Sequence, residues 1–311
     1  MSTPAPHTES MSAVSDGRRA PDTELSSLAA PEVLPQSHLR AQIIGGIAAV
    51  LAVAFLVSIA FNPNFGWPMV GTYLFHPNIL IGIVNTIFLT VLSMALGTIL
   101  GAVLALLKLS PAKPLQAMAE AYIWFFRGIP LLVQLLFWFN LAALFPNLGI
   151  SIPGTELAWL LNTNALISPF TAAMLALTLH EAAYMAEIIR GGILSVDKGQ
   201  AEAAGALAMT PARTMLRIVL PQAMRIIIPP TGNQIISMLK TTSLVSVIAL
   251  NDLLYSAQVI YSTNYQVIPL LLVASLWYLL LVSVLTFFQS RLERHYGKGY
   301  LPRKVRRAHE R

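Results

Sequence analysis

Six predominantly apolar runs, each close to or above the ~20 residues a helix needs to cross a bilayer, confine this chain to one kind of architecture. They are Ala41–Phe61, Ile79–Leu107, Glu120–Phe145, Phe170–Ile193, Thr231–Leu250 and Val267–Phe288. Hydrocarbon offers no hydrogen-bond partners, so such runs satisfy their own backbone as α-helices. Only 11% of the 311 residues are charged and 56% are hydrophobic, against about 25% charged in a soluble domain. The expected fold class is therefore an all-α integral membrane protein with about six transmembrane helices.

Charge sets the orientation. The connections 62–78, 147–169 and 251–266 contain no Lys or Arg, whereas Lys108, Lys113, Lys198, Arg213, Arg217 and Arg225 fall between the other spans. Positive residues favour the cytoplasmic side, so both termini are expected inside. The net charge of +6 is not a nucleic-acid signature: from Arg291 onward eight basic residues face Glu293 and Glu310, and the remainder is balanced. A basic tail beside a span reads as cytoplasmic and near anionic lipid. Residues 1–40 are polar, Pro- and Ser-rich and without period, as in a disordered tail. The expected division is thus a tail over 1–40, a membrane domain over 41–290 and a basic tail over 291–311. In the outer connection 147–169, Trp159 marks an expected interfacial helix.

The loop 194–229 faces the cytoplasm in this scheme and carries regular pattern over Gly199–Ala223. Ala203, Ala204, Leu207 and Ala208 recur at helical spacing, giving a small apolar face. Glu202 is expected in the first turn, where a carboxylate suits the helix dipole. Thr210-Pro211 supplies an N-cap and an N1 proline, closing one short helix and opening another. A small-residue face outside the bilayer suits a docking helix; the bland alternative is a surface hairpin with no partner.

This loop resembles the EAA loop of ABC importer permease subunits, E-A-A, three residues, G, nine residues, I-x-L-P. Glu202-Ala203-Ala204 is followed at that spacing by Ala208, Ile218 and Leu220-Pro221. Ala208 stands where the family has glycine, which bears on how the turn closes. The resemblance continues to the polar amino acid (histidine/glutamine/arginine permease-like) branch. Phe126–Gln134 is similar to R-G-[TI]-P-L-L-V-Q, Ala182–Ile193 to A-A-Y-x-A-E-I-x-R-G-G-I, Leu220–Asn233 to L-P-Q-A-x-R-x-x-x-P-P-x-x-N, and Leu239–Val247 to L-K-[DT]-T-S-L-x-S-V. It covers residues 79 to 290.

The resemblance implies a type I importer permease whose coupling residues are Glu202, Ala203, Ala204, Ala208, Leu220 and Pro221. It implies as partners a dimer of ATPase subunits, a second permease subunit (the same or homologous) and an extracytoplasmic solute-binding protein, in a bacterial inner membrane. The chain itself has no G-x-x-x-x-G-K-[ST] phosphate cradle, no H-E-x-x-H and no G-x-S-x-G, and it has no cysteine. ATP–Mg is therefore expected on the partner, and no cofactor or metal on this chain.

Ionisable groups within spans are costly, about 2.5–3.5 kcal/mol each on insertion scales. His180 and Glu181 fall near the centre of the fourth span and Lys240 midway through the fifth, in a Lys-Thr-Thr-Ser run. One reading makes them, with Asn85, the lining of a substrate pathway, Glu181 meeting an ammonium or guanidinium. The other makes them packing groups: His180 a neutral imidazole, Lys240 snorkelling or paired with Glu181 or Glu187, and Asn85 and Asn140 bonding across helices. Glu187 and Arg190, at i,i+3, read as a structural ion pair. Gly128 and Pro130 break the third span and free carbonyls for a cavity. Gly97 and Gly101, four apart, mark a helix-packing face. A rival function is a secondary transporter or channel driven by an ion gradient, with His180, Glu181 and Lys240 as a proton relay. It leaves the exposed alanine-rich loop without a role.

Overall fold

The computed structural model describes residues 39–151 and 158–296. Two units are distinguished. The first contributes a single apolar helix, α1 (Leu39–Phe61). The second begins at Pro63 and carries everything else described below. Among the described residues four helices are long and apolar enough to cross a membrane, and two bent pairs raise the number to six if each pair is one span.

A 3₁₀ turn (Pro63–Phe65) and the short α2 (Trp67–Tyr73) lead into α3 (Pro77–Lys108). His76 Nδ1 accepts from the Asn78 amide at 3.3 Å and Pro77 takes the first helical position, where its missing N–H is no loss. α3 is the central strut. Its first half packs on the last two helices, with Ile79 and Ile83 against Leu253, Ala257, Leu270 and Val273. Its second half packs on α8 (Pro169–Leu194), whose Ser168 caps the Thr171 amide. Gly97 and Gly101 make that approach possible: a Cβ on Gly101 would stand 2.6 Å from Met185 Cβ and 2.9 Å from the Ala182 carbonyl. The small-xxx-small pair is thus the seam between the two most closely packed helices. The outward faces of α3, including Val84, Val91 and Ile99, stay exposed, as lipid-facing residues must.

The third run is not a straight span. α4 (Lys113–Gly128) and α5 (Leu131–Phe139) meet at 99°. Pro130 has no amide to donate and disfavours helix at the residue before it; Ile129 accordingly turns extended. α6 (Leu141–Leu144) follows. The expected interfacial helix at Trp159 is overturned: β1 (Asn147–Ser151) and β2 (Ala158–Asn162) form an antiparallel hairpin pairing Asn147 with Asn162 and Ser151 with Ala158. Ala158–Leu161 is a short continuous apolar run, which suits a strand as well as a helix. α7 (Thr163–Leu166) then leads into α8.

Beyond α8 come α9 (Lys198–Ala206), α10 (Pro211–Thr214), a π-helical turn (Met215–Val219) and α11 (Leu220–Thr241). The fifth span therefore starts well before Thr231. Past Thr241 it tightens into a 3₁₀ segment (Thr242–Ile248), where the hydroxyls of Thr242, Ser243 and Ser246 each donate to a carbonyl three residues back. The connection expected over 251–266 is mostly helix. α12 (Leu253–Asn264), capped by Asp252 on the Tyr255 amide at 2.7 Å, lies at 42° to the preceding segment and packs on α3. α13 (Val267–Tyr296) closes the fold and carries the helix through Arg291–Tyr296, the opening of the expected basic tail. The rest of that tail and residues 1–38 lie outside the described residues.

Candidate functional site

The loop 194–229 is built by one side-chain cap and one unusual backbone. Asp197 Oδ1 accepts from the Gly199 amide at 2.7 Å and starts α9 one residue before Gly199. Glu202 consequently sits in the second turn, not the first, and its relation to the helix dipole is weaker than the sequence suggests. At the other end the Ala208 amide donates to Gly205 O at 2.9 Å and the Met209 amide to Ala204 O at 3.1 Å. This is a Schellman closure, and it demands a left-handed residue at Ala208, where φ is +56°. The turn closes as glycine would close it, with alanine bearing the strain. Thr210 precedes Pro211 as expected, but its side chain makes no capping bond.

Ala204 is 1% exposed, seated towards the π-helical turn, while Glu202, Ala203, Ala206 and Ala208 are open. Leu207 is 78% exposed and Leu216 65%. Of the remaining loop residues singled out by the sequence, Leu220 is half-buried and Pro221 exposed. Leu207 and Leu216 are large apolar side chains left uncovered outside the spans.

A second neighbourhood lies on α8. Glu181 is 3% exposed, its carboxylate 3.2 and 3.4 Å from Gln234 Nε2 of α11 and its Cβ against Gly97 of α3. The next residue along, His180, faces another way. Its Nδ1 lies 3.3 Å from Gln134 Nε2 of α5, and its ring lies 5.0 Å from that of Tyr184. The Arg127 guanidinium sits 5.2 Å over the same tyrosine, a cation–π contact. Adjacent residues of one helix are thus held by two glutamines from different elements.

Gln134 also revises the reading of the α4–α5 break. The carbonyls freed by Gly128 and Pro130 do not stay open for a cavity. Gln134 Nε2 donates to Phe126 O at 2.9 Å and Ile129 O at 2.8 Å. Neither Gln134 nor Gln234 stands out among charged candidates; the usable signal is a glutamine inside an apolar run, which needs a partner wherever it is buried.

The other pathway candidates are placed apart. Asn85 donates to Asn251 O at 2.8 Å, across to the start of α12, and lines a cavity of about 230 Å³ with Phe88 and Phe170. It stands twelve residues before Gly97 on α3, about 18 Å along the axis from the level of Glu181. Lys240 is exposed and forms no ion pair among the described residues, with Glu181 or with Glu187. The Thr241, Thr242 and Ser243 hydroxyls beside it donate to backbone carbonyls of their own segment. Asn140 likewise bonds back to Leu136 O, not across helices. Glu187 is the hub of an ion cluster: Lys108 Nζ of α3 reaches Oε1 at 2.7 Å, and Arg190 reaches Oε2 through Nε at 3.0 Å and Nη2 at 2.8 Å. The expected i,i+3 pair is present, with a third member tying α8 to α3.

The family described as binding-protein-dependent transport system inner membrane component matches residues 97–298. The chain belongs to this family. The match covers α8, the loop 194–229 and α11, the elements that carry both neighbourhoods. This permease is 42% identical over 288 residues to the arginine transport system permease protein ArgU of Corynebacterium glutamicum, covering 92% of this chain and 89% of that one. It is 36% identical to the probable glutamine ABC transporter permease protein GlnM of Bacillus subtilis, over 78% of this chain and 99% of that one. Among solved structures, an amino acid ABC transporter crystallised with histidines matches at a TM-score of 0.61 and 36% identity, over 72% of the permease and 97% of the matched chain. An inward-facing MetNI methionine transporter, at TM-score 0.53 and 19% identity over 70% of this chain and 95% of that one, shares the fold. The permease is a multi-pass membrane protein of the type I importer fold.

Proposed function

We propose that this permease carries a polar amino acid across the bacterial inner membrane, driven by ATP hydrolysed on a separate pair of ATPase subunits. A copy or homologue of the chain forms the other half of the pathway. A solute-binding protein delivers cargo at the outer face, and both termini lie in the cytoplasm. The observation that carries the reading is α9, a short helix exposing Glu202, Ala203 and the 78%-exposed Leu207 while anchored through Ala204. A chain without a phosphate cradle needs such a surface to receive work from a nucleotide-binding partner, with ATP–Mg held there. The relatives named for arginine and glutamine support an amino acid as cargo and favour this reading over an ion-gradient transporter.

In this mechanism α9 moves the inner end of α8, and the motion reaches Glu181. That carboxylate is covered by Gln234 in the present arrangement. Cargo replaces the Gln234 amide with its own ammonium or guanidinium when α11 shifts, an exchange of one donor for a charged one. Lys240 and Asn85 are the candidates for lining the route at other depths, and His180, beside Glu181 on a different face of α8, is the third.

The test is uptake of labelled amino acids into vesicles holding the permease with its ATPase and binding protein. Glu202→Lys should abolish ATP-coupled uptake and leave insertion intact; Glu181→Gln should change cargo affinity. Uptake by the permease alone, with no nucleotide-hydrolysing subunit present, would refute the proposal.

A further inference from the structure

α13 is longer than the hydrocarbon core of a membrane is thick. Its 30 residues extend about 45 Å at 1.5 Å per residue, against a hydrocarbon core of about 30 Å. Counting from Val267, Leu285 stands about 27 Å along the axis, near the far edge of the core, and Arg291 and His295 about 36 and 42 Å along it, at headgroup depth. Over this stretch α13 and α11, in contact at Gln289 and Gly232, flank a groove of about 440 Å³. Ile235, Ile236, Leu285, Phe288 and Leu292 wall it, and Gly232 and Gln289 lie within it. Arg291 and His295 line it at the headgroup end.

The polar groups around the groove are accounted for unevenly. Gln289 Nε2 donates to Pro229 O at 2.7 Å and to Glu293 Oε1 at 2.9 Å, which turns the amide and that carboxylate towards each other. Arg294 Nε donates to Ser290 O. Arg291 has no acid partner among the described residues; its guanidinium lies 4.7 Å over the Phe287 ring. An apolar trough running from the edge of the hydrocarbon core to an unneutralised guanidinium has the polarity of a phospholipid's interfacial end: upper acyl chain along the walls, phosphate at the end. A zwitterionic headgroup would bring its own cation to this end. An anionic one would not, and the basic surplus from Arg291 onward adds to its attraction.

We propose that the α11–α13 groove holds one anionic phospholipid, its acyl chain between Ile236, Leu285 and Phe288 and its phosphate on Arg291 and His295. The site is separate from Glu181 and from the coupling helix, and it does not depend on which cargo is carried. It makes the packing of α11 against α13 sensitive to membrane composition, because the lipid fills space that no side chain of this unit fills.

The experiment is native mass spectrometry of the purified, assembled transporter titrated with phosphatidylglycerol and, separately, phosphatidylcholine. The wild-type protein should retain phosphatidylglycerol in preference to phosphatidylcholine. Arg291→Gln should weaken phosphatidylglycerol retention about fivefold and leave phosphatidylcholine unchanged, and Arg291→Gln with His295→Gln should abolish the preference. Leu285→Trp, which fills the trough, should reduce retention of both lipids. Equal retention of the two lipids by the wild-type protein, or a preference that survives the double substitution, would overturn the proposal. A second readout uses the absence of cysteine from the chain. Phe288→Cys should react with a lipid-soluble maleimide more slowly as phosphatidylglycerol is added. Disulfide-linked permease pairs through that position would show the groove to be a subunit seam and sink the lipid assignment.

Discussion

Gln134 Nε2 lies 3.3 Å from His180 Nδ1 while the same nitrogen donates to the carbonyls of Phe126 and Ile129. One buried amide, 4% exposed, therefore fixes the 99° elbow between α4 and α5 and touches the residue beside Glu181. The geometry requires a donor at this position. Gln134→Leu should strand two carbonyls and destabilise the protein by about 2–4 kcal/mol. Gln134→Glu is the sharper test, since it keeps shape but, when ionised, has nothing to donate. It should cost at least as much as leucine. Chemical unfolding of the detergent-purified permease measures both; a Glu variant as stable as wild type would remove Gln134 from this role.

Glu187 holds Lys108 and Arg190 at once, so the C-terminal end of α8 is tied to α3 a few residues before the loop 194–229 begins. The groups are partly exposed, about 20–30%, and each pair alone contributes at most about 1 kcal/mol after screening. Stability is then the wrong place to look for the effect of Lys108→Met. The expected outcome is a fall in transported cargo per ATP hydrolysed by the assembled transporter, with ATPase activity retained. Lys108→Met and Glu187→Gln should not add when combined, because both remove the same link. Additive losses would show two separate functions.

The parts of this fold that are legible in the sequence are those set by a single physical rule. Span length and the Gly97–Gly101 spacing follow from the bilayer and from close packing. Direction changes are less legible. Ile129-Pro130 announces a break but not its angle, which depends on Gln134 finding the freed carbonyls from eight and five residues away. The 3₁₀ segment after Thr241 arises from hydroxyls that look, in sequence, like pathway lining. For the site, Glu181 is visible as a charge within a span, but its partner Gln234 is not, because register between α8 and α11 is a tertiary fact. Asn85 and Lys240 carry the same polarity signal as Glu181 and stand in different surroundings, one bonded across to Asn251 and one exposed. Sequence polarity selects residues that need partners; only the fold says which.

Two pairs of glycines separate packing from mere occurrence. A Cβ at Gly97 would meet Glu181 Cβ at 2.9 Å, and at Gly101 the Met185 Cβ at 2.6 Å, whereas Gly45 and Gly46 of α1 have nothing within 4 Å. Gly101→Ala should force α3 and α8 apart and cost about 1–3 kcal/mol, read as a lower unfolding midpoint. Gly45→Ala should be neutral or slightly stabilising, by up to about 1 kcal/mol, since alanine is the better helix former. Equal tolerance at both sites would mean the α3–α8 seam is looser than described.

Ala208 offers a prediction in the stabilising direction. Its φ of +56° places a Cβ where L-residues are disfavoured, at about 1–2 kcal/mol. Glycine removes that penalty but adds chain entropy to the unfolded state, about 0.4–1 kcal/mol. The two terms oppose, and the first is the larger, so Ala208→Gly should stabilise the closure of α9 by roughly 0.5–1 kcal/mol. Ala208→Val adds β-branching to the same backbone and should open the Schellman bonds from Ala208 to Gly205 and Met209 to Ala204. Amide hydrogen exchange over 204–209 resolves the effect locally: slower for glycine, faster for valine, with the spans unchanged. Slower exchange in the valine variant would show that the left-handed turn is not what closes this helix. If α9 is the coupling helix, the glycine variant should also keep full ATP-coupled uptake, since Glu202, Ala203 and Leu207 remain exposed in the same places.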